Sequence, residues 1–147
     1  MKKLLSLLLI SLVLVSCKKD DEDDITSIPH ITFKSISPGT IKEFKDSVVI
    51  GIEYTDGDGD LGENGTGIEN AFITDTRNNL TYSFRIRQLA PDNANIIIRG
   101  NLNIVVPSLG LLNSSSSGES ASFQVYIKDR AGNSSNTVTT SSVTVVP

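Results

Sequence analysis

The chain has no tryptophan, and only one cysteine, one histidine and one methionine among its 147 residues. Each scarcity excludes something. A lone cysteine, Cys17, cannot close an intramolecular disulfide, so a folded domain must be held by packing. A lone histidine, His30, argues against a histidine-rich zinc site and leaves any Ser–His–Asp triad dependent on that one residue. Aromatic residues make up 5% of the chain, too few for the exposed aromatic rows on which many sugar-binding surfaces rely. Cations are also short: 13 Lys and Arg against 17 Asp and Glu give a formal net charge of −4, which argues against nucleic acid. The acidic residues cluster in a linker and a Gly-rich loop, where no apolar wall would raise one carboxyl pKa for acid–base work. The chain is not expected to be an enzyme.

What is present begins at the N-terminus. Lys2 and Lys3 precede an apolar run, Leu4 to Val15, broken only by Ser6 and Ser11. That run is shorter than the roughly 20 residues of a membrane-spanning helix and has the form of an export signal. Its closing Leu14-Val15-Ser16-Cys17 resembles the lipobox of bacterial lipoproteins. The resemblance implies a signal peptide over 1–16, cleavage ahead of Cys17, and acyl chains on the Cys17 thiol. Each buried methylene of such a chain contributes about 0.8 kcal/mol, so two or three chains hold a protein at a membrane without a spanning helix.

Lys18 and Lys19 lead into Asp20-Asp21-Glu22-Asp23-Asp24, a stretch with no apolar residue to bury. Residues 17–28 are therefore expected to form a disordered acidic linker. Lys19-Asp20-Asp21 is similar to the surface-export signal of Bacteroidota lipoproteins, which implies an outer-membrane protein displayed at the cell surface.

From Pro29 onward the apolar residues recur every second position, which predicts an all-β domain over 29–147. Val48, Ile50, Ile52 and Tyr54 alternate with Val49, Gly51, Glu53 and Thr55; Phe123, Val125 and Ile127 alternate with Gln124, Tyr126 and Lys128. Leu80, Tyr82, Phe84 and Ile86 make a third stripe, and Ile96 to Val106 a longer strand or bent pair about Gly100. A register slip between Val138 and Val143 suggests a bulge in the last strand. About seven short half-buried strands must pair two sheets face to face to hide their stripes.

The C-terminal pair, Phe123 to Asn133 followed by Ser134 to Val146, carries the resemblance to immunoglobulin-like and cadherin-like modules of bacterial surface proteins. A strand ending in Asp, an Ala-Gly-Asn turn and a Thr/Val-rich last strand are similar to their F–G hairpin. The implied fold is an immunoglobulin-like antiparallel β-sandwich. Without a core tryptophan or a cysteine pair it departs from antibody domains.

One segment carries ligand chemistry. Asp56-Gly57-Asp58-Gly59-Asp60-Leu61-Gly62 follows the second long strand. Hard cations such as Ca2+ take six to eight oxygens, and glycines between the carboxylates let a loop curl about one ion. It is not an EF-hand: with Asp56 at position 1, Leu61 and Gly67 fall where glycine and glutamate are required. Other ligands must come from elsewhere. The immunoglobulin-like topology implies that the B–C and F–G loops share an end, which adds Asp129 and Asn133 to Asp56, Asp58 and Asp60 as expected calcium ligands. Asp92 and Asn93 are expected to reach the same end.

The functional expectation is a non-catalytic, lipid-anchored binding or structural module, stiffened by calcium. Its partners would be the membrane and an unidentified cell-envelope protein or glycan. A carbohydrate-binding accessory lipoprotein of a glycan uptake system is the alternative.

Overall fold

The computed structural model describes residues 26–147. The expected signal peptide, the lipidation site Cys17 and most of the acidic linker lie outside the described residues.

Within them the chain is all-β, with ten strands: β1 (His30–Ser37), β2 (Thr40–Lys42), β3 (Val48–Asp56), β4 (Ala71–Asp75), β5 (Thr81–Phe84), β6 (Ile98–Val106), β7 (Glu119–Ala121), β8 (Phe123–Ile127), β9 (Val138–Thr139) and β10 (Val143–Val146). They form three sheets, ordered β1-β3-β6, β2-β10-β7 and β5-β4-β8-β9. All pairings are antiparallel except β2 with β10. The inner positions meet in a single core of buried side chains, with Phe123 the largest of those fully enclosed. Each such Val, Ile or Phe contributes roughly 1.5–3 kcal/mol by leaving water.

The alternation read from the sequence sets the faces. Val48, Ile50, Ile52 and Tyr54 of β3 are buried, as are Phe123, Val125 and Ile127 of β8. The strand count exceeds seven in part because the last strand is interrupted where a side chain replaces a backbone partner. The Thr140 hydroxyl accepts the Phe123 N–H at 3.0 Å, and the break at Thr140 separates β9 from β10, where the bulge was expected.

The stripe from Leu80 to Ile86 is shorter than its pattern suggested. Only Thr81 to Phe84 pair as β5, and Leu80 is half exposed. Ile86 leaves the ladder because the buried Asn70 amide takes its backbone, accepting the Ile86 N–H at 2.6 Å and donating to its carbonyl at 3.3 Å. Ile96 likewise lies outside β6 and is exposed, and β6 runs unbroken through Gly100.

Asn136 plays the same part for β1: its Oδ1 accepts the Ile31 N–H at 2.8 Å and its Nδ2 donates to the Ile31 carbonyl at 2.9 Å. This clamp ties the sheet containing β1 to the segment that leads into β9. Since His30 lies opposite Thr55, the described chain enters the fold beside the end of β3, which is also where the acidic loop begins.

Candidate metal centre

The acidic loop starts from an inward position. Along β3 the inner stripe runs Val48, Ile50, Ile52, Tyr54, and the next slot falls to Asp56, which is fully buried. A strand that points apolar side chains at the core thus delivers a carboxylate there at its last residue. Two glycines then let the chain turn back. Gly59 and Gly62 hold φ of 75° and 85°, and a Cβ on Gly62 would collide with the Arg87 carbonyl. Leu61 between them is fully buried and bridges to Asp129, which seats the loop against the end of β8.

The hydrogen bonds divide each carboxylate. Asp56 Oδ2 accepts the Leu61 N–H at 3.0 Å, and Asp60 Oδ2 accepts the Ala131 N–H at 3.0 Å. The other oxygen of each, Oδ1, is buried and has no hydrogen-bond partner, and the same holds for Asp58 Oδ1. One carboxylate oxygen from each of the three aspartates lies within 4.8 Å of the others. Three carboxylate oxygens this close can converge on one hard cation.

The electrostatics record crowded negative charge. Contrary to the expectation that no carboxyl of this loop would be raised by burial, burial at the end of the β3 inner stripe pushes Asp56 up to about 6, with the charges of Asp58, Asp60 and Asp129 adding to the rise and the Leu61 N–H opposing it. Asp60 is raised as well, by burial and then by Asp129 and Asp58, against the Ala131 N–H and Arg130. A buried carboxylate oxygen without a donor is costly, and either a proton or a bound cation relieves it.

The remaining expected ligands are placed nearby with other partners. Asp129 is 7% exposed and borders the cluster, where its charge raises Asp56 and Asp60. Both its oxygens accept from Asn133: Oδ1 from the backbone N–H at 2.7 Å, Oδ2 from Nδ2 at 2.8 Å. Asn133 is thus the residue that orients Asp129. Arg130 crosses the loop, donating from its backbone to the Asp60 carbonyl and from Nη1 to the Gly62 carbonyl at 2.9 Å. In front of the carboxylates opens a cleft of about 570 Å³, lined by Asp58, Asp60, Asp92, Asn93, Asn95 and Arg130.

Two features escaped the sequence reading. Arg77 forms a fork with Asp75 and also reaches Glu119 and the Gly110 carbonyl, an almost fully buried ion cluster at the opposite end from the acidic loop. The i, i+2 spacing of Asp75 and Arg77 in a turn was its only signal. On the outer face of the four-stranded sheet, Phe72 stacks on Tyr126 with centroids 4.8 Å apart, and Lys128 Nζ lies 5.5 Å from the Phe72 ring.

Compared with protein-family models, curated proteins and solved structures, the chain has no match.

Proposed function

We propose that this chain is a membrane-anchored, non-catalytic lipoprotein whose immunoglobulin-like domain binds Ca2+ at the Asp56–Asp60 loop, as a binding or structural module of the cell envelope. The observation that carries the cation reading is the trio of buried, unpartnered Oδ1 atoms on Asp56, Asp58 and Asp60. Asp129, oriented by Asn133, stands beside them as a further source of negative charge.

The immunoglobulin-like assignment is supported by joining strands across their short breaks. With β7 and β8 taken as one strand, and β9 and β10 as the next, β1-β3-β6 faces a second layer made of β5, β4 and these two strands. That order resembles A, B and E against C′, C, F and G of an immunoglobulin-like sandwich without its D strand, and β2 is a short parallel partner of the last strand. The lipobox-like Leu14-Val15-Ser16-Cys17 supports the anchor, and Lys19-Asp20-Asp21 supports display at the outer-membrane surface.

Calcium titration followed by thermal melting tests the reading. Extracellular calcium modules bind with dissociation constants near 10⁻⁴–10⁻³ M. A few millimolar Ca2+ should then stabilise the fold by about 1.4 kcal/mol, a rise of a few degrees in Tm. Asp58→Asn/Asp60→Asn should abolish the rise. A wild-type Tm indifferent to 10 mM Ca2+ retires the proposal.

The second reading, a carbohydrate-binding accessory lipoprotein, is favoured by the stacked, half-buried Phe72–Tyr126 pair on the outer sheet face.

A further inference from the structure

The sheet β1-β3-β6 ends on β6, nine residues long, and no strand among the described residues pairs with its outer side. The other sheet margins are short or covered. β2, β5, β7 and β9 have two to four residues each, and the outer backbone of β1 is taken at Ile31 by the Asn136 clamp. A long free edge is a template for another strand, a hazard that short and covered edges avoid.

The clamp and the ladder fix which backbone groups of β6 are free. Ile31 turns its N–H and C=O to Asn136, so those of its neighbours His30 and Thr32 face Thr55 and Glu53, and the even-numbered residues of β3 face β6. They meet Ile98, Gly100, Leu102, Ile104 and Val106 without a register break. Ile96 continues the series, its N–H donating to the Asp58 carbonyl at 3.4 Å. The N–H and C=O groups of Ile97, Arg99, Asn101, Asn103 and Val105 therefore point away from β3. The side chains of the same five residues are exposed, Ile97 at 55% and Val105 at 53%.

This row is complementary to itself. In an antiparallel pairing of two copies about Asn101, Ile97 meets Val105 of the second copy, Arg99 meets Asn103, and Asn101 meets Asn101. All five outward residues are paired, both exposed apolar side chains are covered, and Arg99, the one charge of β6, lies opposite an amide. Moving the two-fold axis to Leu102 sets Ile97 against Pro107, which has no N–H to give, and moving it to Gly100 sets Val105 against Asn95. A parallel in-register pairing opposes Arg99 to Arg99, a like-charge contact.

We infer that β6 is the surface through which two copies of this chain associate, as an antiparallel edge-to-edge pair about Asn101 that joins two three-stranded sheets into one of six. Drawn out, residues 17–29 reach farther than the length of β6, so two copies anchored through Cys17 as proposed can pair in this sense on one membrane. The contact is a narrow strip, and confinement to a membrane raises the effective concentration of its two halves.

Sedimentation equilibrium of the detergent-solubilised full chain tests the inference. The wild type should pass from monomer to dimer with a dissociation constant below about 1 mM. Ile97→Glu and Val105→Lys, each alone, should weaken the dimer at least tenfold, because each sets a charge against an apolar residue. The double variant Ile97→Glu/Val105→Lys sets opposite charges against each other across the two-fold axis and should restore the dimer. Both positions are exposed, so the β-rich circular dichroism of each variant should match the wild type. Mild oxidation of whole-cell envelopes should link Asn101→Cys chains into a disulfide dimer beyond any seen for the wild type, since Cα atoms of a hydrogen-bonded antiparallel pair lie about 5.5 Å apart, within disulfide range. A wild type that stays monomeric at 1 mM overturns the inference. So does a double variant no better than the single ones, or an Asn101→Cys chain that links to another envelope protein instead of to itself.

Discussion

Asp56 occupies a position that its neighbours on β3 reserve for apolar side chains, and this gives the metal-free protein an unusual dependence on acidity. Its carboxyl is raised to about 6 by burial and by the aspartates around it. The unfolded chain has the ordinary carboxyl value, so the folded state holds its proton over a range in which the unfolded state has lost it. Stability from this proton is complete below about pH 4 and disappears as pH rises through about 6. The raised Asp60 acts in the same direction. In EDTA, the Tm of the wild type minus that of Asp56→Asn should therefore fall between pH 4 and 7, and Ca2+ should reverse the fall at pH 7. A difference that grows with pH in EDTA would contradict the assignment.

The sequence carried the identity of these aspartates because spaced carboxylates and glycines form a local pattern. The resemblance to immunoglobulin-like modules implied their meeting with Asp129, and the loop after β3 does lie against the turn after β8. The sequence could not carry the division of labour between oxygens, since that depends on which backbone N–H, of Leu61 or Ala131, arrives at each carboxylate. Nor could it show that Asn133 turns its amide to Asp129.

Strands followed the two-residue period wherever a stripe was long and uniform, as in β3 and β8. They departed from it where a side chain replaced a backbone partner. Asn70, Asn136 and Thr140 each hydrogen-bond a backbone group of another segment and so end or brace a ladder. Polar residues of this kind look like loop residues in a sequence, because nothing in their spacing names the distant partner. The ion cluster of Arg77 is the strongest instance. Its guanidinium, 10% exposed, joins the turn after β4 to Glu119 at the start of β7 and to the 107–118 loop through Gly110. Leu112 and Asn113 donate their N–H groups to Glu119, which, ahead of the smaller influence of Arg77, hold that carboxyl below its usual range. Arg77→Ala leaves Asp75 buried without its cation, a loss expected to cost about 3–5 kcal/mol in urea unfolding. The same variant should expose the 107–118 loop to proteases. A cost below 1 kcal/mol would show that the cluster is dispensable.

For the molecule as a whole, an all-β fold with one core and no disulfide followed from composition and period. Among the described residues no helix is long and apolar enough to cross a membrane. In the proposed function, Cys17 carries the attachment. Cys17→Ala, expressed in a bacterium that processes lipoproteins, should move the protein from the membrane fraction to the soluble envelope fraction. The β-rich circular dichroism of the domain should be unchanged. Continued partition with membranes would remove the anchor from the account.

The entry of β1 beside the acidic loop sets which end of the domain the proposed anchor would restrain. His30 lies against Thr55, next to Asp56, whereas the 107–118 loop follows the other end of β6, where Val106 pairs with Val48. A leash from Cys17 to His30, even drawn taut, spans no more than about 45 Å. If Cys17 is anchored as proposed, the acidic-loop pole stays within that reach of the membrane, and the Arg77 pole can lie farther out by the length of the domain.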